Sequence, residues 1–131
     1  MIIDTSAVIA LVLGEADQNV LLGAMATARS LRMSAATWVE LGVVADRRLT
    51  PAAQAALEQL LDELGIEVAG LTVAQARLAR EAHRRYGPGS GSKARLNLGD
   101  CFSYALAKHL GEPLLFIGED FTHTDVLAAV G

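Results

Sequence analysis

Short apolar segments alternate with longer helical patterns along the chain, and this alternation restricts the fold more than any other feature. The apolar segments are Met1–Ile3, Leu31–Ser34, Ile66–Val68 and Pro113–Ile117. Between them, apolar residues recur at three- and four-residue spacing, which is typical of helices packed against a core. Strands that alternate with helices form a parallel sheet covered on both faces. The sequence therefore predicts one three-layer α/β/α domain over residues 1–131, with a central parallel sheet of four to five strands.

Capping residues set the predicted helix boundaries. Thr5 or Ser6 caps a buried helix that runs to Leu13, and Asn97 or Gly99–Asp100 begins a helix that is stopped by Gly111. Gly87–Asn97 has loop composition. Further helices are predicted over 15–28, from Ser34 or Thr37 to Arg48, over 51–64 and over 72–86.

Acidic residues stand where the predicted strands end or the predicted helices begin. Asp4 follows the first strand, Glu40 and Asp100 lie in first turns of helices, and Glu119 and Asp120 follow the last strand. These positions share one edge of a parallel sheet, so their side chains can converge. Each acid alone has an ordinary interpretation as a helix cap, turn residue or solvated side chain. Their common edge favours a functional site.

Converging carboxylates repel one another and gain affinity for protons unless a cation neutralises them. Hard oxygen ligands suit Mg²⁺ or Mn²⁺. Cys101 is the only cysteine and the three histidines show no ligand spacing, so neither a disulfide nor a zinc site is expected. A site of this kind turns a bound water into a nucleophile, and phosphodiester hydrolysis is its natural chemistry.

Charge is distributed unevenly along the chain. The net charge is −4, yet residues 77–95 hold six arginines and lysines and a single acid, Glu81. An acidic body with one basic stretch fits a metal-dependent enzyme that acts on a polyanion, whereas a solvated helix face followed by a mobile loop is the alternative.

Hydropathy bears on location and partners. No apolar run approaches the roughly 18 residues of a membrane span, and no basic leader precedes the first strand, so a cytoplasmic protein without membrane association is expected. The mean hydropathy of +0.34 indicates apolar surface that a partner or a second copy covers.

Four segments together resemble PIN-domain proteins of the VapC toxin type, and the likeness spans essentially the whole chain. They are Ile3–Ala7, Trp38–Glu40, Leu96–Ala107 and Pro113–Phe121 with Thr124–Asp125. The resemblance implies an endoribonuclease toxin that depends on Mg²⁺ or Mn²⁺, forms a homodimer and is inhibited by a VapB-type antitoxin.

Three acids of this chain match the core acids of that family, namely Asp4, Glu40 and Asp100. The family usually keeps a hydroxyl at the position of Thr5. Thr5 and Ser6 are therefore expected to orient a carboxylate or a ligand water in addition to capping the helix.

The fourth acid departs from the common pattern. Many PIN domains place an aspartate three residues before the phenylalanine, where this chain has Gly118. The toxin subgroup typically keeps the acid directly before Phe121, which is Asp120 here. Asp120 therefore ranks first as the fourth acid, and Asp125 ranks second as a supporting residue.

Basic residues near the site are candidates for contacts with RNA phosphates. These candidates are Arg84, Arg85, Lys93 and Arg95. Two other functions remain open: a structure-specific DNA nuclease with the same acids, and a non-catalytic module whose acids bind a basic partner segment. Trp38 is expected to lie in the core or in an interface.

Overall fold

The computed structural model describes all of residues 1–131, which contain four strands and six helices. The strands are β1 (Ile2–Ile3), β2 (Arg32–Ser34), β3 (Glu67–Ala69) and β4 (Leu114–Leu115). The helices are α1 (Thr5–Leu13), α2 (Gln18–Ala26), α3 (Ala35–Arg48), α4 (Pro51–Leu64), α5 (Val73–Tyr86) and α6 (Leu98–Leu110). A single 3₁₀ turn, Asp120–His123, follows β4. No helix combines the length and the apolar character that crossing a membrane requires.

The strands form one parallel sheet in the order β3-β2-β1-β4. Ile2 of β1 is in register with Arg32 of β2 on one side and with Leu114 of β4 on the other. β1 is therefore an inner strand, and its carboxyl end delivers Asp4 to the middle of one sheet edge. The predicted parallel sheet is confirmed, with four strands.

Successive strand residues point to opposite faces of the sheet and so divide the core in two. Ile3, Met33 and Leu115 pack with the helices α1 to α4. Ile2 and Leu114 pack with α5 and α6. The predicted three-layer α/β/α arrangement is confirmed.

The boundary of α1 differs from its prediction. Asp4, and not Thr5 or Ser6, is the N-cap: its backbone is extended, and its carboxylate accepts the amide hydrogen of Ser6. The reason is the brevity of β1, which ends at Ile3 and leaves no loop before the helix. α2 is also shorter than predicted, because Asp17 caps it and excludes residues 15–17.

Glycines end three of the helices. Gly14 after α1, Gly65 after α4 and Gly111 after α6 adopt the left-handed conformation, with φ of 66°, 64° and 66°. A residue without a side chain adopts this conformation at little cost. The loop from Gly87 to Asn97 then links α5 to α6, as its composition predicts.

Candidate active site

A cavity of about 270 Å³ opens at the carboxyl edge of the sheet. Three of the predicted acids line it, namely Asp4, Glu40 and Asp100. Thr5 and Ser6 line the same cavity. The edge predicted from the sequence thus brings these acids together, although they lie up to 96 positions apart in the chain.

Asp4 is almost fully buried, with 3% of its surface exposed, and hydroxyl groups hold both of its carboxylate oxygens. Oδ2 accepts hydrogen bonds from the Ser6 amide at 3.1 Å and the Ser6 hydroxyl at 2.6 Å. Oδ1 accepts from the Ser103 hydroxyl at 2.5 Å. The Ser6 hydroxyl in turn accepts from the amide of Ile117, beyond β4. Asp4 is therefore held in position by the start of α1, by α6 and by the segment that follows β4.

Glu40 lies on α3 and is oriented by the residue that follows Asp4. The Thr5 hydroxyl donates to Glu40 Oε1 at 2.8 Å. Thr5 itself is buried, with 8% of its surface exposed, and the other acceptor near its hydroxyl, the Thr37 carbonyl, lies farther away at 3.5 Å. The Thr5 hydroxyl thus contacts the Glu40 carboxylate directly.

Asp100 is held by a reciprocal capping box at the start of α6. The Asn97 side chain accepts from the Asp100 amide at 2.8 Å, and the Asp100 carboxylate accepts from the Asn97 amide at 3.0 Å through Oδ2. This arrangement satisfies two amides that a helix start leaves free. The cap therefore serves the fold and also presents the carboxylate to the cavity.

Burial and mutual repulsion raise the proton affinity of the two acids on helices. Loss of hydration raises the pKa of Asp100 to about 7, and the charges of Asp4, Asp120 and Glu40 add to the effect. Loss of hydration also raises the pKa of Glu40, with a smaller contribution from Asp4. A cation in the cavity would favour the ionised form of both groups.

Asp120 begins the 3₁₀ turn after β4 and is exposed. It does not line the cavity, but its charge lies close enough to raise the pKa of Asp100. Asp120 is therefore the outer member of the acidic cluster.

Asp125 is engaged elsewhere. Its carboxylate accepts from the Tyr104 hydroxyl at 2.6 Å and from Lys108 Nζ at 3.2 Å, and Arg85 lies at 3.8 Å. Burial opposes ionisation of Asp125, but these partners outweigh it and lower its pKa. These contacts tie the C-terminal segment to α6, and Asp125 does not line the cavity.

The four predicted RNA-binding residues fall into two groups. Arg84 pairs with Glu81 at 2.9 Å, and Arg85 lies over the Tyr86 ring at 4.8 Å as well as near Asp125. Lys93 and Arg95 instead line an exposed polar depression in the loop that leads to the cavity.

Sequence reasoning missed three residues at the site. Ser103 and Thr37 are fully buried and joined by a 3.1 Å hydrogen bond beneath Asp4. Helical spacing was the available signal, because each lies three residues from a predicted acid on the same helix. Arg48, the only basic residue that lines the cavity, pairs with Glu15 at 2.7 Å, and no sequence signal pointed to it.

The donor set suits a hydrated hard cation. As they stand, no three side chains among the histidines, cysteines, aspartates and glutamates form a ready-made metal-binding group. Mg²⁺ keeps several of its waters and is commonly bound through only one or two carboxylates, so spaced acids around a cavity are compatible with it. The all-oxygen chemistry of the three acids that line the cavity is compatible with such an ion.

The chain matches the PIN domain family over residues 1–127. Ribonuclease VapC42 of Mycobacterium tuberculosis is 51% identical over 129 residues, which cover 98% of this chain and 98% of that protein. Two solved structures share the fold. VapC20 of M. tuberculosis, described as a Sarcin-Ricin loop cleaving toxin, has a TM-score of 0.74 at 19% identity, and the match covers 96% of this chain and 95% of that one. A toxin-antitoxin complex from Klebsiella pneumoniae has a TM-score of 0.66 at 17% identity, with 95% and 92% covered. This chain belongs to the PIN-domain family, and within it to the VapC type.

Proposed function

We propose that this protein is an endoribonuclease toxin that uses Mg²⁺ or Mn²⁺ to hydrolyse RNA phosphodiester bonds. The observation that carries the proposal is the convergence of Asp4, Glu40 and Asp100 on one cavity. The name of its relative VapC42, a ribonuclease, supports the choice of RNA as substrate.

Within this proposal, hydrogen bonds from neighbouring residues orient the three carboxylates. Ser6 and Ser103 orient Asp4, Thr5 orients Glu40, and the capping box orients Asp100. Asp4, Glu40 and Asp100 would hold a divalent cation, which would supply an activated water and stabilise charge on phosphoryl oxygens. Asp120 adds negative charge at the outer side of the cluster, which strengthens attraction for the cation.

Basic residues outside the acidic cluster are proposed to bind the RNA backbone. Lys93 and Arg95 are the better candidates, because acidic neighbours already partly neutralise Arg84 and Arg85. Phosphate contacts of this kind position a nucleic acid without reading its sequence.

An antitoxin of the VapB type and a second copy of the chain are the proposed protein partners. The Klebsiella pneumoniae structure, a toxin-antitoxin complex with the same fold, supports the first partner. Large apolar side chains on α3 are exposed, including Trp38 at 51% and Val39 at 58%. Large apolar side chains grouped on one exposed helix can form a protein interface.

The decisive experiment compares the wild type with Asp4→Asn. We expect the wild type to cleave RNA with Mg²⁺ or Mn²⁺, to lose cleavage in EDTA and to regain it when the metal returns. Asp4→Asn is expected to lose cleavage while its circular dichroism spectrum stays unchanged. Retained cleavage in Asp4→Asn, with contaminating nuclease excluded, would contradict the mechanism. Parallel assays on single-stranded DNA separate a ribonuclease from a DNA nuclease, and no cleavage of either would favour a binding module.

A further inference from the structure

Gly99 lies in the first turn of α6, directly before Asp100. Its φ is outside the left-handed region, in contrast to the glycines that end helices. The backbone at this position therefore does not require glycine. Alanine favours helices more than glycine does, so the presence of glycine needs a different explanation.

The space beside Gly99 is filled by the carboxylate of Glu40. A Cβ placed on Gly99 would overlap Glu40 Oε2 and Cδ and come within 2.9 Å of Oε1. Two other helical glycines show no such contact, because a Cβ on Gly23 or Gly42 would meet nothing within 4 Å. The close approach is thus particular to the helix turn that carries Asp100.

Both sides of this contact are held in place. The capping box between Asn97 and Asp100 fixes the backbone of the first α6 turn. The Thr5 hydroxyl fixes Glu40 at 2.8 Å. The end of the Glu40 side chain is the most flexible part of this contact. A methyl group added at Gly99 would therefore make the Glu40 carboxylate rotate away and lose its hydrogen bond to Thr5.

We propose that Gly99 is a positioning residue of the acidic site. Its missing side chain provides the space in which the Glu40 carboxylate lies beside the turn of Asp100. This role rests on the proposed function, because it matters only if Glu40 helps to hold the cation. Gly99 itself offers no side chain to a cation or a substrate.

The test is Gly99→Ala, with Gly23→Ala as the matched control. Three properties are measured: Mn²⁺ affinity by titration calorimetry, RNA cleavage, and the melting temperature in EDTA. Gly99→Ala is expected to weaken Mn²⁺ binding by about 10- to 100-fold, the range found when residues that orient metal ligands are changed. Its melting temperature should change little, because the helix preference of alanine over glycine offsets the lost Thr5–Glu40 hydrogen bond. Gly23→Ala should match the wild type in binding and cleavage.

A second variant tests whether the effect passes through Glu40. The aspartate in Glu40→Asp is shorter by one methylene and withdraws from the added methyl group. Gly99→Ala should therefore weaken Mn²⁺ binding less in the Glu40→Asp background than in the wild type. An equal loss in both backgrounds, or unchanged binding in Gly99→Ala, would overturn the role of Gly99. If the wild type itself neither bound Mn²⁺ nor cleaved RNA, the proposed function would fail instead.

Discussion

Removal of the Ser103 hydroxyl is the most informative single perturbation of this structure. The side chain is 1% exposed and lies between two buried groups. It donates to Asp4 Oδ1 at 2.5 Å and forms a 3.1 Å hydrogen bond with the Thr37 hydroxyl. Ser103→Ala therefore leaves a carboxylate oxygen without one donor and the Thr37 hydroxyl without a partner.

The magnitude follows from these two losses. A hydrogen bond to a charged group contributes about 1.5–3 kcal/mol, and a stranded buried hydroxyl costs about 1 kcal/mol more. We therefore expect Ser103→Ala to lower the free energy of unfolding by about 2.5–4 kcal/mol. Given 131 residues and an unfolding entropy of about 2.1 cal/mol/K per residue, the melting temperature should fall by roughly 9–15 °C.

Urea denaturation followed by circular dichroism, in EDTA, measures this loss. Thr37→Val is the control, since it removes the Thr37 hydroxyl but keeps the hydrogen bond from Ser103 to Asp4. It should lower the free energy of unfolding by about 1 kcal/mol. In the Asp4→Asn background the bond joins neutral groups, so Ser103→Ala should cost less there. A loss below about 1 kcal/mol in the wild type, or an equal loss in both backgrounds, would refute the proposed charged hydrogen bond.

Three further predictions concern pH, the fourth acid and the basic loop. Because burial and neighbouring charges raise the pKa of Asp100 from 3.8 to about 7, folding takes up a proton in this window. The melting temperature in EDTA should therefore fall as the pH rises from 4 to 7, and saturating Mn²⁺ should remove this slope. Asp120→Asn should reduce cleavage, whereas Asp125→Asn should retain it, as steady-state kinetics would show. Asp125→Asn should also lower the free energy of unfolding by at most about 1 kcal/mol, as loss of an exposed ion pair does, and urea denaturation measures this change. Lys93→Gln and Arg95→Gln should weaken RNA binding and make it less sensitive to salt, as fluorescence anisotropy at several salt concentrations would show.

The fold was predictable because the sequence signals agree with one another. Strand segments, caps and stop glycines all indicate the same order of elements, and the helix predicted over 51–64 coincides with α4, which Thr50 caps and Gly65 ends. The error at α1 has a physical origin. A two-residue strand ends so close to the helix that Asp4 serves both as the strand end and as the helix cap.

The acidic edge was also predictable, but the contacts that support it were not. Strand order places Asp4 near Asp100, whereas the partners of each carboxylate depend on how α3 and α6 pack. The role of Ser103 requires knowing that α6 lies beside β1 with that residue facing Asp4. Gly99 gives no signal at all, because an absent side chain is visible only when its neighbour is known.

The pairing of β1 with β4 joins the two ends of the chain. Ile2 is in register with Leu114, and the amide of Ile117 holds the Ser6 hydroxyl that orients Asp4. During synthesis Asp4 is made first, and Ser6 and Ser103 also precede β4, but the Ile117 amide that holds the Ser6 hydroxyl follows only after that strand. A fragment of residues 1–112 should therefore lack both native circular dichroism and cleavage. On this basis a toxic activity would be withheld from the nascent chain until β4 has emerged from the ribosome.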